Sequence, residues 1–281
     1  MPEPQTMKVA RLYGAGDIRI EDEPLPVPQP GEVMVKIDAV SICGSDLHWF
    51  TEGGIGPSRA ETRGVVLGHE MAGVIARGPR SGERVALDPA IPCGICEHCL
   101  EGNPNFCTSL RFAGDGTQDG GLREYAAWPE RSLFHLPDQL SAEEGALLEP
   151  LGVALHSLNL AHVRPGMRAG VYGCGPIGLL IIQLARLSGA AQIVATDCLA
   201  HRLEAARACG ATDTFLSTGG GENEAVWRAT GGHGMDVSFE AAGENPAVET
   251  AFASARAGSR VVLVGIPGDD HTSFTASTAR R

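Results

Sequence analysis

Two patterns of apolar residues meet near residue 150 of this chain. Before that point, apolar residues come in short runs cut by Pro and Gly: Val33–Ile37, Val65–Leu67, Gly73–Ala76 and Arg84–Leu87. Such runs, bounded by turn formers, predict β-strands. Pro24, Pro26, Pro28 and Pro30 predict an extended, polyproline-like lead-in. From Leu140 to Ala161 the composition turns helical. Ser141-Ala-Glu-Glu144 reads as a capping box, with Ser141 as N-cap and Glu144 at the third helical position.

Beyond residue 150 apolar strands alternate with helical stretches. Ala169–Tyr172 leads through a glycine turn into a helix over about 178–188, and Gln192–Thr196 leads into one around 203–209. Thr214–Leu216, Met235–Phe239 and Arg260–Val264 complete five strand candidates. Strands separated by helices predict a parallel, doubly wound sheet. The expected fold class is therefore α/β: a β-rich domain over residues 1–150 and a doubly wound domain over 151–281.

Composition narrows the classes. Hydrophobic content of 43% with 37 glycines and 18 prolines reads as a turn-rich globular protein. No apolar run reaches the ~20 residues of a membrane span, so no membrane partner is expected. A net charge of −12 argues against nucleic acid, whose binding needs a basic footprint. Residues 1–10 lack the apolar region of a secretion signal, so a cytoplasmic, reducing location is expected.

That location matters for the cysteines. Cys93, Cys96, Cys99 and Cys107 fall within fifteen residues, spaced C-x2-C-x2-C-x7-C. The alternatives are a pair of disulfides or small buried thiols. A reducing compartment disfavours disulfides, and four clustered thiolates suit a tetrahedral zinc ion. Four protein ligands leave no open position, so such an ion would be structural.

Gly173-Cys-Gly175-Pro-Ile-Gly178 is G-x-G-x-x-G, which by itself also describes a plain turn. Here it follows a predicted strand and opens a predicted helix, and Asp197 stands at the end of the next strand. In a dinucleotide site Gly173 would permit the tight turn, Gly175 would let the backbone approach a pyrophosphate, and Gly178 would allow close helix–strand packing. The helix N-terminus offers unpaired N–H groups to the phosphates. Asp197 could accept from both hydroxyls of an adenosine ribose and would repel a 2′-phosphate, favouring NAD over NADP. Arg202 reads equally as a group packed on the adenine ribose side or as a solvated charge.

Three more pieces carry donor groups: Cys43-Gly-Ser-Asp-Leu-His48, Gly68-His69-Glu70 and Leu148-Glu149-Pro150. Singly, Cys43 reads as a small buried residue, His69 as a satisfied core histidine and Glu149 as a helix-surface charge. Together with the cysteine loop and the glycine turn they suggest a second zinc ion with an open position.

In this order, C-G-S-D-x-H, G-H-E, the four-cysteine loop, E-P-L-G and G-C-G-P-I-G resemble the zinc-dependent medium-chain dehydrogenases. The polyol branch (sorbitol, xylitol or iditol dehydrogenase) is the most similar. The resemblance covers nearly the whole chain. It implies a GroES-like catalytic domain and a Rossmann domain, two zinc ions per chain, and hydride transfer from a polyol or other secondary alcohol to NAD, giving a ketone. By resemblance Cys43, His69 and Glu70 hold the catalytic zinc, with Glu149 binding directly or through a water. Ser45 would take the hydroxyl proton and His48 would pass it on, while Asp46 orients a ligand. Trp49 and Glu149 would face the substrate. Gly173, Gly175, Pro176, Ile177, Gly178, Asp197, Arg202, Val264, Gly265 and Ile266 would hold NAD. A homo-oligomer, dimer or tetramer, is expected of the full-length form.

The chain departs from this pattern twice. Trp49 stands where polyol enzymes commonly carry tyrosine. Only five strand candidates are visible where a dinucleotide fold has six, so the Rossmann sheet is expected to lack its last strand. L-threonine 3-dehydrogenase or butanediol dehydrogenase is the alternative within the class. An inactive zinc- and NAD-binding fragment is the alternative outside it.

Overall fold

The polypeptide forms two compact units, Met1–Glu149 and Pro150–Arg281. The structure is a computed structural model and describes residues 5–280 apart from 57, 61, 62, 220, 269 and 270.

The first unit is built on a five-stranded antiparallel sheet, in the order Tyr125–Pro129, Glu32–Ser41, Glu70–Arg77, Arg84–Leu87, Leu133–His135. Its strands exist because one face carries the apolar set. Val33, Val35, Met71, Ile75, Val85, Leu87 and Trp128 form one buried cluster. Each fully buried side chain of this size contributes about 1.5–3 kcal/mol. A hairpin of Thr6–Gly14 with Asp17–Pro24, turning at Gly16 (φ 72°), was not expected, because charged residues along its open face obscure the alternation. Two helices, Ala142–Ala146 and Leu148–Ala161, occupy the stretch expected to be helical. The capping box is formed: Ser141 Oγ accepts from the Glu144 N–H at 3.1 Å and Glu144 Oε2 from the Ser141 N–H at 2.7 Å.

One expected strand is absent. Val65–Leu67 makes only a single bridge, Val65 to Leu12. Glycines at φ +69° (Gly64) and +90° (Gly68) turn the chain at both ends. The carbonyls of Val65, Val66 and Leu67 accept instead from Leu12, Gly120 and Leu122. The apolar run is buried by loops rather than by a ladder.

The second unit holds a five-stranded sheet in the order Asp213–Leu216, Gln192–Asp197, Arg168–Tyr172, Met235–Glu240, Ala255–Leu263, with every neighbouring pair parallel. The sequence order is 3-2-1-4-5, that of a doubly wound sheet. Val171, Ile181, Ile182, Ile193, Val237 and Phe239 form its largest core. Among the described residues Ala255–Leu263 has a neighbour on one side only. Helices Glu222–Ala229 and Asn245–Ala253 were not expected from the pattern. No helix among the described residues is long and apolar enough to cross a membrane.

Candidate active site and metal centres

The four cysteines of the loop converge. Sγ atoms of Cys93, Cys96, Cys99 and Cys107 all lie within 4.8 Å of one another, and none is in a disulfide. A tetrahedron with Zn–S bonds of about 2.3 Å separates its sulfurs by about 3.8 Å, so the cage fits the ion. Backbone N–H groups of Ile95 and Cys96 point at Cys93 Sγ, and those of Cys93 and Ser109 at Cys107 Sγ. Such donors favour thiolate. Backbone N–H groups lower the Cys96 thiol to about 6, whereas burial and the neighbouring thiols push Cys99 up to about 12. Four sulfurs this close cannot all carry charge without a cation between them.

The second group is assembled from separate elements. Cys43 is the N-cap of helix Gly44–Glu52, just beyond strand Glu32–Ser41. His69 precedes, and Glu70 opens, strand Glu70–Arg77. One ligand atom from each of Cys43, His69 and Glu70 lies within 4.8 Å of the others. Asp46 joins the two turns: Oδ2 accepts from the Cys43 N–H at 2.9 Å and Oδ1 from the Gly68 N–H at 3.1 Å. It also lies 3.8 Å from His69 Nδ1. Burial raises the Cys43 thiol, partly offset by hydrogen bonds involving Ser45, with Glu70 and Asp46 raising it further. Sulfur, imidazole and carboxylate together make a donor set that suits zinc.

Glu149 stands near this group without joining its three ligand atoms. Burial raises its carboxyl; His69 opposes the shift, while Glu70, Asp88 and Asp46 add to it. Ser45 is half-buried beside Cys43. One turn on, His48 Nδ1 lies 2.9 Å from Glu52 Oε1, which fixes the ring.

In the second unit the glycine turn has the expected form. Gly173 sits at φ 106°, a conformation that disfavours side chains. A Cβ on Gly178 would lie 1.9 Å from the Gly173 carbonyl oxygen, so helix Pro176–Leu187 could not pack as it does. Its own chain neighbours aside, a Cβ on Gly175 would meet no atom of the described residues within 4 Å. Among the described residues nothing crowds that position, and the open space suits a phosphate. Asp197, 6% exposed, closes the turn from the next strand: Oδ2 accepts from Cys174 N–H at 2.8 Å and Oδ1 from Leu199 N–H at 2.9 Å. Arg202 Nη1 lies 3.7 Å from Asp197 Oδ2. Val264 and Gly265 N–H groups bond to the Glu240 carbonyl, and Ile266 is exposed.

Residues 29–138 match the family described as "Alcohol dehydrogenase GroES-like domain", and residues 176–280 match "Zinc-binding dehydrogenase". Sorbitol dehydrogenase of Bacillus subtilis is 38% identical over 273 residues, covering 95% of this chain and 77% of that one. The chain belongs to the zinc-binding dehydrogenases. The crystal structure of 2R,3R-butanediol dehydrogenase from Bacillus subtilis superposes with a TM-score of 0.85 at 33% identity, over 98% of this chain and 81% of the other. A structure from Sinorhizobium meliloti 1021 solved with NADP gives 0.88 at 33% identity, over the same shares. This zinc-binding dehydrogenase is thus an oxidoreductase of GroES-like plus Rossmann architecture.

Within that frame some side chains lie where the sequence could not place them. The Trp49 ring is 3% exposed and packs with Leu12, Val65 and Leu67, so its polar edge is not offered on an open surface. Glu240, 1% exposed, accepts from the Ala242 and Gly243 N–H groups at 2.8 Å each and thereby organises the turn beside Val264–Ile266. It was missed because a strand-ending glutamate carries no distinctive pattern. Glu52 was missed as well, although its i+4 spacing from His48 on a helix was a usable signal. Asp88, which raises the Glu149 carboxyl, comes from a remote strand end and gave none.

Proposed function

We propose that this dehydrogenase oxidises a polyol or another secondary alcohol to a ketone, with NAD as hydride acceptor. The observation that carries the reading is the three-donor group Cys43, His69 and Glu70, with Glu149 near it but outside the ligand set. Three protein donors leave a position for substrate, which the four-cysteine cage lacks. Zinc bound there would supply a Lewis acid that lowers the pKa of a substrate hydroxyl. NAD would take the hydride.

The protein's own groups then divide the work. Cys43, His69 and Glu70 hold the metal position, and Asp46 keeps two of their turns in register. The Ser45 hydroxyl accepts the alcohol proton and donates its own onward, and His48, its ring braced by Glu52, is the next acceptor. Glu149, with its carboxyl raised by burial, orients the substrate or a water beside the metal position. Gly173–Gly178 would hold the pyrophosphate, Asp197 and Arg202 the adenosine ribose, and Val264–Ile266 the nicotinamide end of the dinucleotide. Asp197 supports NAD over NADP because its carboxylate repels a 2′-phosphate.

The test is a zinc count and an oxidation screen on the purified chain. Sorbitol, xylitol, 2,3-butanediol and L-threonine are offered with NAD and with NADP. Two zinc ions and NAD-linked oxidation of a polyol are expected. Oxidation of butanediol or threonine alone moves the substrate to the other branch. Dinucleotide binding without turnover of any of them overturns the proposal.

A further inference from the structure

We propose that Ser41 is a positioning residue for Glu70: its hydroxyl takes one carboxylate oxygen and leaves the other turned to the metal position. The inference rests on the reading of Cys43, His69 and Glu70 as a zinc site.

The pairing is set by backbone register. Strand Glu32–Ser41 runs antiparallel to Glu70–Arg77, with Lys36 opposite Val74 and Ile37 opposite Gly73. Continued unbroken, that register would bring the isopropyl group of Val40 opposite Glu70. It is broken by one residue. Asp38 is extra on its strand, so Ala39 faces Ala72, Val40 faces Met71 and Ser41 faces Glu70. A one-residue bulge exchanges which side chains face a given partner, and bulges recur beside active sites where they re-aim a side chain. Here the bulge exchanges a methyl-bearing neighbour for a hydroxyl. Ser41 Oγ donates to Glu70 Oε2.

The chemistry needs such a donor. Glu70 is 5% exposed, so little water reaches its carboxylate. Asp46 and Glu70 both act on the Cys43 thiol, and Glu70 and Asp46 both act on Glu149, so several negative groups crowd one small volume. A glutamate with three rotatable bonds would turn away from its neighbours. A serine hydroxyl offers one proton, and a bond to a carboxylate is charge-assisted. With Oε2 so engaged, Oε1 is the carboxylate oxygen left for the ion.

The experiment measures zinc affinity at this site by competition with a chromophoric chelator. The ion of the four-cysteine cage serves as the internal reference. Variants of the full chain are S41A, S41T, E70Q and the S41A/E70Q pair. S41A should weaken zinc binding at this site about 10–100-fold, the usual cost of removing a partner that orients a ligand. S41T should restore most of it. The metal-free S41A protein should melt with the unmodified one, and S41A should add little in the E70Q background. If E70Q weakens zinc binding but S41A does not, the role of Ser41 is overturned and the zinc reading stands. An S41A effect of the same size in the E70Q background also overturns it, because Ser41 would then act on something other than Glu70. Zinc affinity untouched by E70Q would sink the zinc reading and this inference with it.

Discussion

The two candidate metal centres of the first unit are built in opposite ways. The four-cysteine cage is local, and almost nothing else supports it. Its short helix, Glu97–Leu100, and the turn Pro104–Phe106 bury no residue. Ile95, Leu100 and Phe106 are 81%, 76% and 64% exposed. A segment with so little apolar burial cannot offset its own chain entropy, so its shape depends on the ion. The Cys43–His69–Glu70 group draws its donors from a helix cap and the start of one strand, which the sheet holds in any case. Asp46 and Ser41 add hydrogen bonds that need no metal. The lesson is that spacing reveals a closed site, whereas an open one is made by a framework that stands without its ion.

The sharpest way to break this comparison is to silence the open site while leaving the framework alone. Ser45→Ala should lower kcat by about 10²–10⁴-fold, the range for a positioned acid–base group, with KM nearly unchanged. A pH–rate profile and a thermal melt on the same variant check it. Unchanged turnover would mean that the proton leaves by another route.

Next in size is removal of a cage ligand. Cys99→Ala should lose one zinc ion and lower the melting temperature by about 5–10 °C. Cys43→Ala should also lose one ion but melt close to the parent protein. Elemental analysis paired with calorimetry reads both. Equal melting losses in the two variants would erase the distinction between the centres.

A smaller effect is expected in the second unit. Asp197→Asn removes the charge and also leaves one of the two backbone N–H groups that the carboxylate accepts from, Cys174 or Leu199, without an acceptor. NAD should bind at least about tenfold more weakly, because hydrogen bonds to a charged group contribute about 1.5–3 kcal/mol each. Discrimination against NADP should narrow. Titration of both cofactors against the parent and the variant decides it, and a parent that binds the two equally would count against the assignment.

The smallest effect lies away from both centres and serves as their control. Arg80, with help from His135, holds the Glu83 carboxyl at about 2, below its usual 4.5. A lowered carboxylate contributes stability above its unfolded pKa and loses it as pH falls toward the folded value. Glu83→Gln should therefore flatten the acid limb of the melting curve between pH 4.5 and about 2. These groups are partly exposed, so the change should be slight. Metal content should not move.

Much of this molecule was determined by sequence alone. Short apolar runs specified a β-rich first half, and strands alternating with helices specified a parallel sheet in the second, because burial of an apolar face needs a fixed period in each element; the antiparallel pairing of the first sheet came from the structure. The cage cysteines and the Gly173–Gly178 turn were legible too, since in each the chemistry sits within a few consecutive residues. Tertiary structure decided the rest. It buried Trp49 among Leu12, Val65 and Leu67, turned Val65–Leu67 into a loop-paired segment, and set Glu240 under the Val264–Ile266 turn. Above all it inserted Asp38 as a bulge and thereby brought Ser41 opposite Glu70, 29 residues away. No local pattern encodes that juxtaposition. A register is settled only when two strands pair, by which side chains each face can bury.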